Sequence, residues 1–208
     1  MTLKELLKEV NTIQIIGNDQ VEVTNLTQDS RKISDNTLFF AIKGAKTDGH
    51  SFISQVVEEK VRVVVCEVLP TTLPQEVTFV KVADTTIAMG KIAANFYGNP
   101  SKKLKLVGVT GTNGKTTIAT LLYQLFGLLG HKVGLISTIA IYIDQQRMET
   151  KNTTPDVLTL NEVMHRDPKQ FGVCINLTVG VGIRVDGDVL GFGGKFGTIN
   201  RLPHQAVD

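Results

Sequence analysis

One glycine-rich segment in the middle of the chain constrains the fold more than any other stretch: Gly108-Val-Thr-Gly-Thr-Asn-Gly-Lys-Thr-Thr117. It overlaps a short, β-branched apolar run, 104–110, that is typical of a buried parallel strand. The residues after it, 118–130, have an apolar periodicity that predicts a helix with Gly130 as its C-terminal cap. A strand, a glycine-rich turn and a helix in this order predict a phosphate-binding loop. Glycines let backbone N–H groups surround an anion, and the helix N-terminus adds a positive dipole.

The loop also predicts roles for its residues. The predicted nucleotide-binding residues are Gly111, Thr112, Asn113, Gly114, Lys115, Thr116 and Thr117. Lys115 is expected to reach the β- and γ-phosphates of ATP and so to serve catalysis, and the Thr116 hydroxyl is expected to bind Mg²⁺. The spacing is not the commonest one, since Val109 occupies the place of the usual first glycine. The alternative is a glycine-rich turn with an exposed lysine, but the flanking strand and helix favour the phosphate site.

The composition of the chain narrows the class of protein. Of its 208 residues 42% are hydrophobic and 20% charged, and the net charge of +2 gives no reason to expect nucleic acid or a membrane as a partner. No apolar run approaches the ~18 residues of a membrane span, and 1–8 lacks the apolar core of a signal peptide. We expect a cytoplasmic protein that acts as a monomer. Cys66 and Cys174 lie in separate apolar runs and are expected to be buried free thiols.

Periodicity along the chain predicts an α/β protein of two domains. The predicted helices are 3–10, 50–60, 85–97, 118–130 and 157–165, and the predicted strands are 12–16, 21–27, 37–42, 61–66, 77–82, 104–110, 132–136, 138–143 and 171–178. A polar turn is expected at 144–147. The break at 98–101 is the predicted boundary between a mixed α/β domain, 1–101, and the start of a P-loop domain with a Rossmann-like, mainly parallel sheet, 102–208.

Several segments outside the loop match one known family. They are Asp29-Ser-Arg31, Leu38-Phe-Phe-Ala41, the nine residues 44–52, Ala94-Asn-Phe-Tyr97 with Pro100-Ser101, and Asn152-Thr-Thr-Pro155. Together with 110–117 they resemble the Mur ligases, the ATP-dependent amide ligases of bacterial peptidoglycan synthesis. Within that family they resemble the subgroup that adds the third residue of the peptide. Folylpolyglutamate synthases carry a similar loop, but 29–31 and 152–154 argue against them.

The resemblance, which covers positions 1 to about 167, implies a substrate, ATP with Mg²⁺, and a set of contacts. The substrate would be UDP-N-acetylmuramoyl-L-alanyl-D-glutamate, bound by Gln28, Ser30, Ala45, Lys46, Thr47, Asn152, Thr153 and Thr154. Residues 1–101 would form the UDP-substrate domain. The reaction would join diaminopimelate, the commoner choice in the family, or lysine through an acyl-phosphate. From the residues alone, Asp29 and Ser30 could form a simple turn cap, and His50 is expected to begin a helix rather than to bind a ligand.

The resemblance weakens after Gln170. Leu177 lies where the family has a glutamate and Val181 where it has a histidine. Both family residues serve Mg²⁺, and apolar side chains cannot, because Mg²⁺ prefers oxygen ligands. The family's carbamylated lysine and C-terminal amino-acid-binding domain have no counterpart in this sequence. We therefore expect 171–208 to be divergent and the chain to be incomplete and inactive alone, through truncation, frameshift or redesign. The alternative is a non-catalytic nucleotide-binding module that keeps the loop.

Overall fold

The computed structural model describes residues 1–44, 47–109, 113–137, 141–143, 146–148, 156–166 and 172–176. The helices are α1 (Leu3–Leu6), α2 (Ile53–Glu58), α3 (Thr85–Phe96), α4 (Lys115–Leu128) and α5 (Val157–Arg166). The strands are β1 (Thr12–Ile16), β2 (Asn25–Thr27), β3 (Thr37–Phe40), β4 (Val63–Cys66), β5 (Thr78–Val82), β6 (Lys105–Val109), β7 (Val133–Ile136), β8 (Ile141–Ile143), β9 (Gln146–Met148) and β10 (Gly172–Asn176). The described residues form two compact units, one within 1–104 and 156–166, the other within 105–148 and 172–176.

The sheet of the first unit has the order β1-β5-β4-β3-β2. Strands β2 to β5 are parallel, and β1 pairs with β5 in the antiparallel direction. Every residue of β3 and β4 is buried, because helices cover both faces of the sheet. Parallel strands place their carboxyl ends at one edge. The predicted substrate residues Gln28, Ser30 and Thr47 follow β2 and β3 at that edge.

Alternating side chains of these strands build one hydrophobic core on each face of the sheet. The core on one face contains Leu38, Phe40, Val63, Val65, Val80 and Val82 with residues of α1 and α3. The core on the other face contains Phe39, Val64, Cys66 and Phe79 with residues of α2. Cys66 is a buried free thiol, as predicted, and burial raises its pKa to about 11. The side chain of Cys174 lies outside the described part of the chain.

Helix α5 belongs to the first unit, although it follows the phosphate loop in the sequence. It lies against α3. Val157 and Leu158 pack on the core that contains Phe40, and the ring centroids of His165 and Tyr97 are 5.6 Å apart. The domain limits 1–101 and 102–208 stay a prediction, and these contacts show that the first unit also includes a later segment.

The sheet of the second unit has the order β6-β10-β7-β8-β9. Strand β10 lies between β6 and β7 and is parallel to both, and β7, β8 and β9 continue the sheet in antiparallel fashion. Helix α4 packs on this sheet: its Ala119 forms a buried cluster with Val109 and Leu135, and Leu122, Tyr123 and Phe126 pack against that cluster. The mixed α/β fold class is confirmed. None of the helices in the described residues has the length and hydropathy of a membrane span.

Most of the predicted elements are present, but several predictions need correction. The helix expected at 3–10 ends at Leu6, and the helix expected at 118–130 begins at Lys115. The turn expected at 144–147 is wrong in part, because Gln146 and Arg147 belong to β9 and pair with β8. The strand expected at 21–27 is formed only at Asn25–Thr27. The earlier residues of that stretch bond to the start of the chain instead: Leu3 donates to Val21 O and Val23 donates to Met1 O, each at 2.8 Å.

Candidate functional site

The turn after β2 is built around the Asp29 carboxylate. Its Oδ1 accepts from the Arg31 backbone N–H at 3.1 Å and so caps a short 3-10 helix that begins at Ser30. The Arg31 guanidinium donates to the same carboxylate from Nε at 2.8 Å and from Nη2 at 2.9 Å. Thr27 Oγ1 accepts from the Asp29 N–H at 3.1 Å. These bonds fix the backbone around Gln28 and Ser30, so Asp29 is the turn cap that its residue type suggested.

The Arg31 guanidinium also sets the charge of this turn. Its hydrogen bonds to the carboxylate, together with the capping bond from the Arg31 backbone, lower the pKa of Asp29 to about 2. Asp29 is therefore ionised throughout the range in which proteins are usually folded. Its negative charge is matched by a cation that is 83% exposed. A phosphate-bearing ligand can approach this turn without meeting an uncompensated carboxylate.

Arg31→Met is expected to raise the pKa of Asp29 toward the ordinary value of ~3.9. In the wild type the folded pKa lies below the unfolded one. The pair therefore stabilises the folded state above about pH 4, and this contribution is lost as the pH falls toward about 2. An NMR titration of the Asp29 carboxyl carbon measures the shift. Lys32→Met is the matched control, because Lys32 acts on Asp29 only through its charge; a shift as large as that of Arg31→Met would contradict the bonded pair.

The loop after β3 is joined to the end of β4 by His50. His50 Nε2 accepts from the backbone N–H of Glu67 at 3.0 Å and of Val68 at 3.3 Å. The ring proton therefore lies on Nδ1, which donates to Asp48 Oδ1 at 2.7 Å. Both ring nitrogens are thus engaged within the protein, and His50 lies in a 3-10 helix, Gly49–Phe52, in agreement with the structural role that the sequence predicts.

Gly49 makes this loop fold back tightly on β3. Its N–H donates to Ile42 O at 2.8 Å, and a methyl group added to it would lie 2.6 Å from Ile42 N and 2.7 Å from Ile42 O. No side chain fits there without moving the backbone. The Gly44 N–H donates to Thr47 O at 3.0 Å, so the two ends of the predicted contact turn are held together.

Gln28 contacts a residue that is distant in the sequence. Its Nε2 donates to Asp156 Oδ2 at 3.2 Å, and both residues belong to the first unit. Asp156 follows the predicted substrate-contacting stretch 152–154 after a single intervening residue. The hydrogen bond therefore joins the predicted nucleotide-contacting turn to the residue before α5, and Asp156 is not among the site residues predicted from the sequence.

The described residues before and after 110–112 place both ends of the predicted phosphate loop at the carboxyl edge of the second sheet. Strand β6 ends at Val109, which pairs with Asn176 of β10, and α4 begins at Lys115. Gly114 has a left-handed conformation, φ 77°, which glycine adopts without strain, and it has no side chain to cap the helix. The first turn of α4 thus combines a helix N-terminus with the Lys115 ammonium and the Thr116 hydroxyl. These groups fit the phosphates of a nucleotide with Mg²⁺.

The structure describes about half of the predicted site residues. Gln28, Ser30 and Thr47 lie at the carboxyl edge of the first sheet, and Asn113, Gly114, Lys115, Thr116 and Thr117 lie at or before the start of α4. Ala45, Lys46, Gly111, Thr112, Asn152, Thr153, Thr154, Leu177 and Val181 lie outside the described residues. Within the described ranges there is no group of three His, Cys, Asp or Glu side chains that could hold a metal ion.

Sequence comparisons find similarity to one family over most of the chain. A model described as the Mur ligase family, catalytic domain, matches residues 22–97, and one described as the Mur ligase middle domain matches residues 109–175. The UDP-N-acetylmuramoyl-L-alanyl-D-glutamate–2,6-diaminopimelate ligase of Bacteroides fragilis is 51% identical over 166 residues, which are 80% of this chain and 34% of that protein. The ligase of the same name from Phocaeicola vulgatus is 50% identical with the same coverage. The chain thus spans about a third of the length of these relatives.

Solved structures share the fold at lower identity. A structure of UDP-N-acetylmuramoyl-L-alanyl-D-glutamate–2,6-diaminopimelate ligase has a TM-score of 0.65 at 18% identity, covering 86% of this chain and 36% of that one. MurF from Acinetobacter baumannii has a TM-score of 0.55 at 22% identity, covering 92% of this chain and 36% of that one. Both similarities concern the fold alone.

Proposed function

Because the chain belongs to the Mur ligase family, we propose that it binds ATP and UDP-N-acetylmuramoyl-L-alanyl-D-glutamate as part of a ligase that adds diaminopimelate to the muramoyl peptide. The names of the relatives and the residues at the two sheet edges support this proposal. We also place the protein in the cytoplasm, where nucleotide-activated precursors and ATP are available. The monomeric state stays a prediction.

The proposed reaction consists of two transfers. The terminal phosphoryl group of ATP passes to a carboxylate of the muramoyl peptide and ADP leaves; the amine of the incoming amino acid then attacks the acyl carbon and phosphate leaves. Mg²⁺ would neutralise charge on the transferring phosphoryl group. Lys115 would hold the β- and γ-phosphates, Thr116 would orient the metal, and Gln28 and Ser30 would hold the uridine nucleotide.

The observation that carries the proposal is the first turn of α4. Lys115 and Thr116 directly follow the left-handed Gly114, and the loop starts from the carboxyl end of a parallel strand. This arrangement supports nucleotide binding independently of the relatives' names.

A second candidate function is a non-catalytic nucleotide-binding module. It is favoured by Leu177 and Val181, which stand where the family has ligands for Mg²⁺. A chain of this kind would bind ATP through the loop without transferring the phosphoryl group. Both candidates bind ATP, and the ligase candidate in addition binds the muramoyl substrate, so binding of that substrate distinguishes them.

Calorimetric titration of the full chain with UDP-N-acetylmuramoyl-L-alanyl-D-glutamate tests the proposal. We expect saturable binding that is at least about tenfold tighter than that of UDP-N-acetylglucosamine, because the control ligand lacks the peptide and therefore its hydrogen bonds. ATP with Mg²⁺ is the second titrant. Binding of ATP without binding of the muramoyl ligand would support the non-catalytic module and contradict the ligase assignment.

A further inference from the structure

The Asp156 carboxylate divides its two oxygens between two elements. Oδ1 accepts from the Thr159 backbone N–H at 2.8 Å, the usual bond of a helix N-cap, and so fixes the start of α5. Oδ2 accepts from Gln28 Nε2 at 3.2 Å. Gln28 and Asp156 are 128 positions apart, and neither contact depends on a residue outside the described ranges.

Helix α5 holds Asp156 in place for this contact. Leu160, Val163 and Met164 are buried, and Val157 packs on the core of the first unit. The Leu160 backbone N–H also donates to Asp156 O at 2.9 Å. Gln28, by contrast, is an exposed side chain in a turn, so its orientation depends on its partner. The fixed group in this pair is Asp156 and the adjustable group is Gln28.

The chemistry of the pair sets the direction of the Gln28 carboxamide. An ionised carboxylate only accepts hydrogen bonds, so the NH₂ group of Gln28 must face Asp156. The carbonyl oxygen of Gln28 then faces away and remains an acceptor. A uridine nucleotide offers donors for such an oxygen, namely the imide N–H of its base and the hydroxyls of its ribose. A carboxamide free to rotate would present the wrong atom for part of the time.

We propose that Asp156 is a positioning residue for the uridine nucleotide: it holds the Gln28 carboxamide so that its carbonyl oxygen, rather than its NH₂ group, faces the ligand. This inference rests on the proposed function, because it requires that Gln28 contacts the nucleotide. The same carboxylate lies one residue beyond the segment 152–155, which the family resemblance assigns to the muramoyl peptide. Asp156 therefore connects the turn after β2, which is proposed to contact the nucleotide, with the start of α5.

Exchange of the hydrogen-bond donor tests this role. In Asp156→Asn the residue keeps its size and its cap oxygen, but its NH₂ group now faces Gln28, and the carboxamide of Gln28 must turn round to accept from it. We expect about three- to tenfold weaker binding of UDP-N-acetylmuramoyl-L-alanyl-D-glutamate in calorimetry, as for the loss of one hydrogen bond. Gln28→Glu alone should also bind weakly, because two carboxylates then face each other. In the double variant Asp156→Asn with Gln28→Glu, the new amide NH₂ at position 156 donates to one oxygen of the new carboxylate at position 28. The other carboxylate oxygen faces the ligand as an acceptor, so the affinity for the muramoyl ligand should recover.

Further measurements separate positioning from a purely structural role. Asp156→Ser keeps an N-cap side chain that is too short to reach Gln28, so far-UV circular dichroism and ATP affinity should stay unchanged while the muramoyl ligand binds more weakly. In a Gln28→Ala background, Asp156→Ser should not weaken binding of the muramoyl ligand any further. Three results would overturn the inference while leaving the proposed function intact. They are unchanged affinity for the muramoyl ligand in Asp156→Asn, additive losses of affinity for Asp156→Ser and Gln28→Ala, and no recovery of affinity in the double variant. Absence of binding by the wild type would overturn both.

Discussion

Lys115→Ala is expected to weaken ATP binding by at least about a hundredfold. The side chain lies in the first turn of α4, directly after Gly114, where the ammonium and the helix N-terminus act on the same phosphates. Removal of a charged hydrogen-bond donor from a phosphate site costs on the order of 3 kcal/mol, which corresponds to that factor. Calorimetric titration with ATP and Mg²⁺ measures it. The binding of the muramoyl ligand should be affected much less, because Gln28, Ser30 and Thr47, which are proposed to hold its uridine nucleotide, lie in the other unit.

Lys132→Ala is the matched control for this prediction. Lys132 is an exposed lysine of the same unit and directly precedes β7. Strands β6 and β7 are both parallel to β10, so Lys132 lies at the amino edge of the sheet and the loop at the carboxyl edge. Its loss removes the same charge without touching the loop. Equal weakening by both substitutions would point to a general electrostatic effect and would contradict the role of Lys115.

The sequence predicts those parts of the fold that local pattern determines. Strand β1 has its predicted bounds, Thr12–Ile16, because the turn residues that follow it end the strand at Gly17, whose φ is 111°. Helix α4 begins at Lys115, three residues before the start that periodicity predicts. Its first residues, Lys115 to Thr117, are polar and belong to the phosphate loop, so apolar periodicity does not reveal them. Helix geometry there follows from the left-handed Gly114 rather than from burial.

The errors in the predicted secondary structure arise where a segment pairs with a distant or unexpected partner, because the local sequence pattern does not identify that partner. The stretch 144–147 has the polar composition of a turn, yet Arg147 pairs with Tyr142 in an edge hairpin, where one side of the strand is open to water. The strand order β6-β10-β7 brings together segments that are tens of residues apart. Periodicity indicates how one element is buried, and it does not identify its neighbour.

The same limit applies to the candidate site. The loop around Lys115 could be predicted as a phosphate site from the sequence, because all its groups are consecutive. The bond between Gln28 and Asp156, and the bonds from the Glu67 and Val68 backbone to His50, join separate segments and required the structure. An aspartate directly before the apolar run of α5 is a sequence signal for a helix cap, and this signal was available at Asp156. It indicates the cap bond but not the second bond to Gln28.

Phe39→Ala is expected to lower the free energy of unfolding of the first unit by about 3–5 kcal/mol. Phe39 is fully buried in β3, pairs with Val64 of β4, and packs in the core that also contains Phe79 and Ile53. Removal of the ring leaves a cavity between a parallel sheet and a helix that are both held by further contacts, so the site cannot close over it. Since domains are stable by only about 5–15 kcal/mol, such a loss is large. Urea unfolding followed by circular dichroism measures it.

Ile13→Ala provides the comparison within the same sheet. Ile13 is as apolar as Phe39, but it lies on the edge strand β1 and is 60% exposed. Its truncation should change the free energy of unfolding by less than about 0.5 kcal/mol, because little area is removed from the core and no cavity forms. Phe39 also pairs with Thr27, the residue before Gln28. A loss of under 1 kcal/mol in the free energy of unfolding for Phe39→Ala would contradict the burial of Phe39 in this core. Equal losses for Phe39→Ala and Ile13→Ala would contradict the register that buries Phe39 and exposes Ile13.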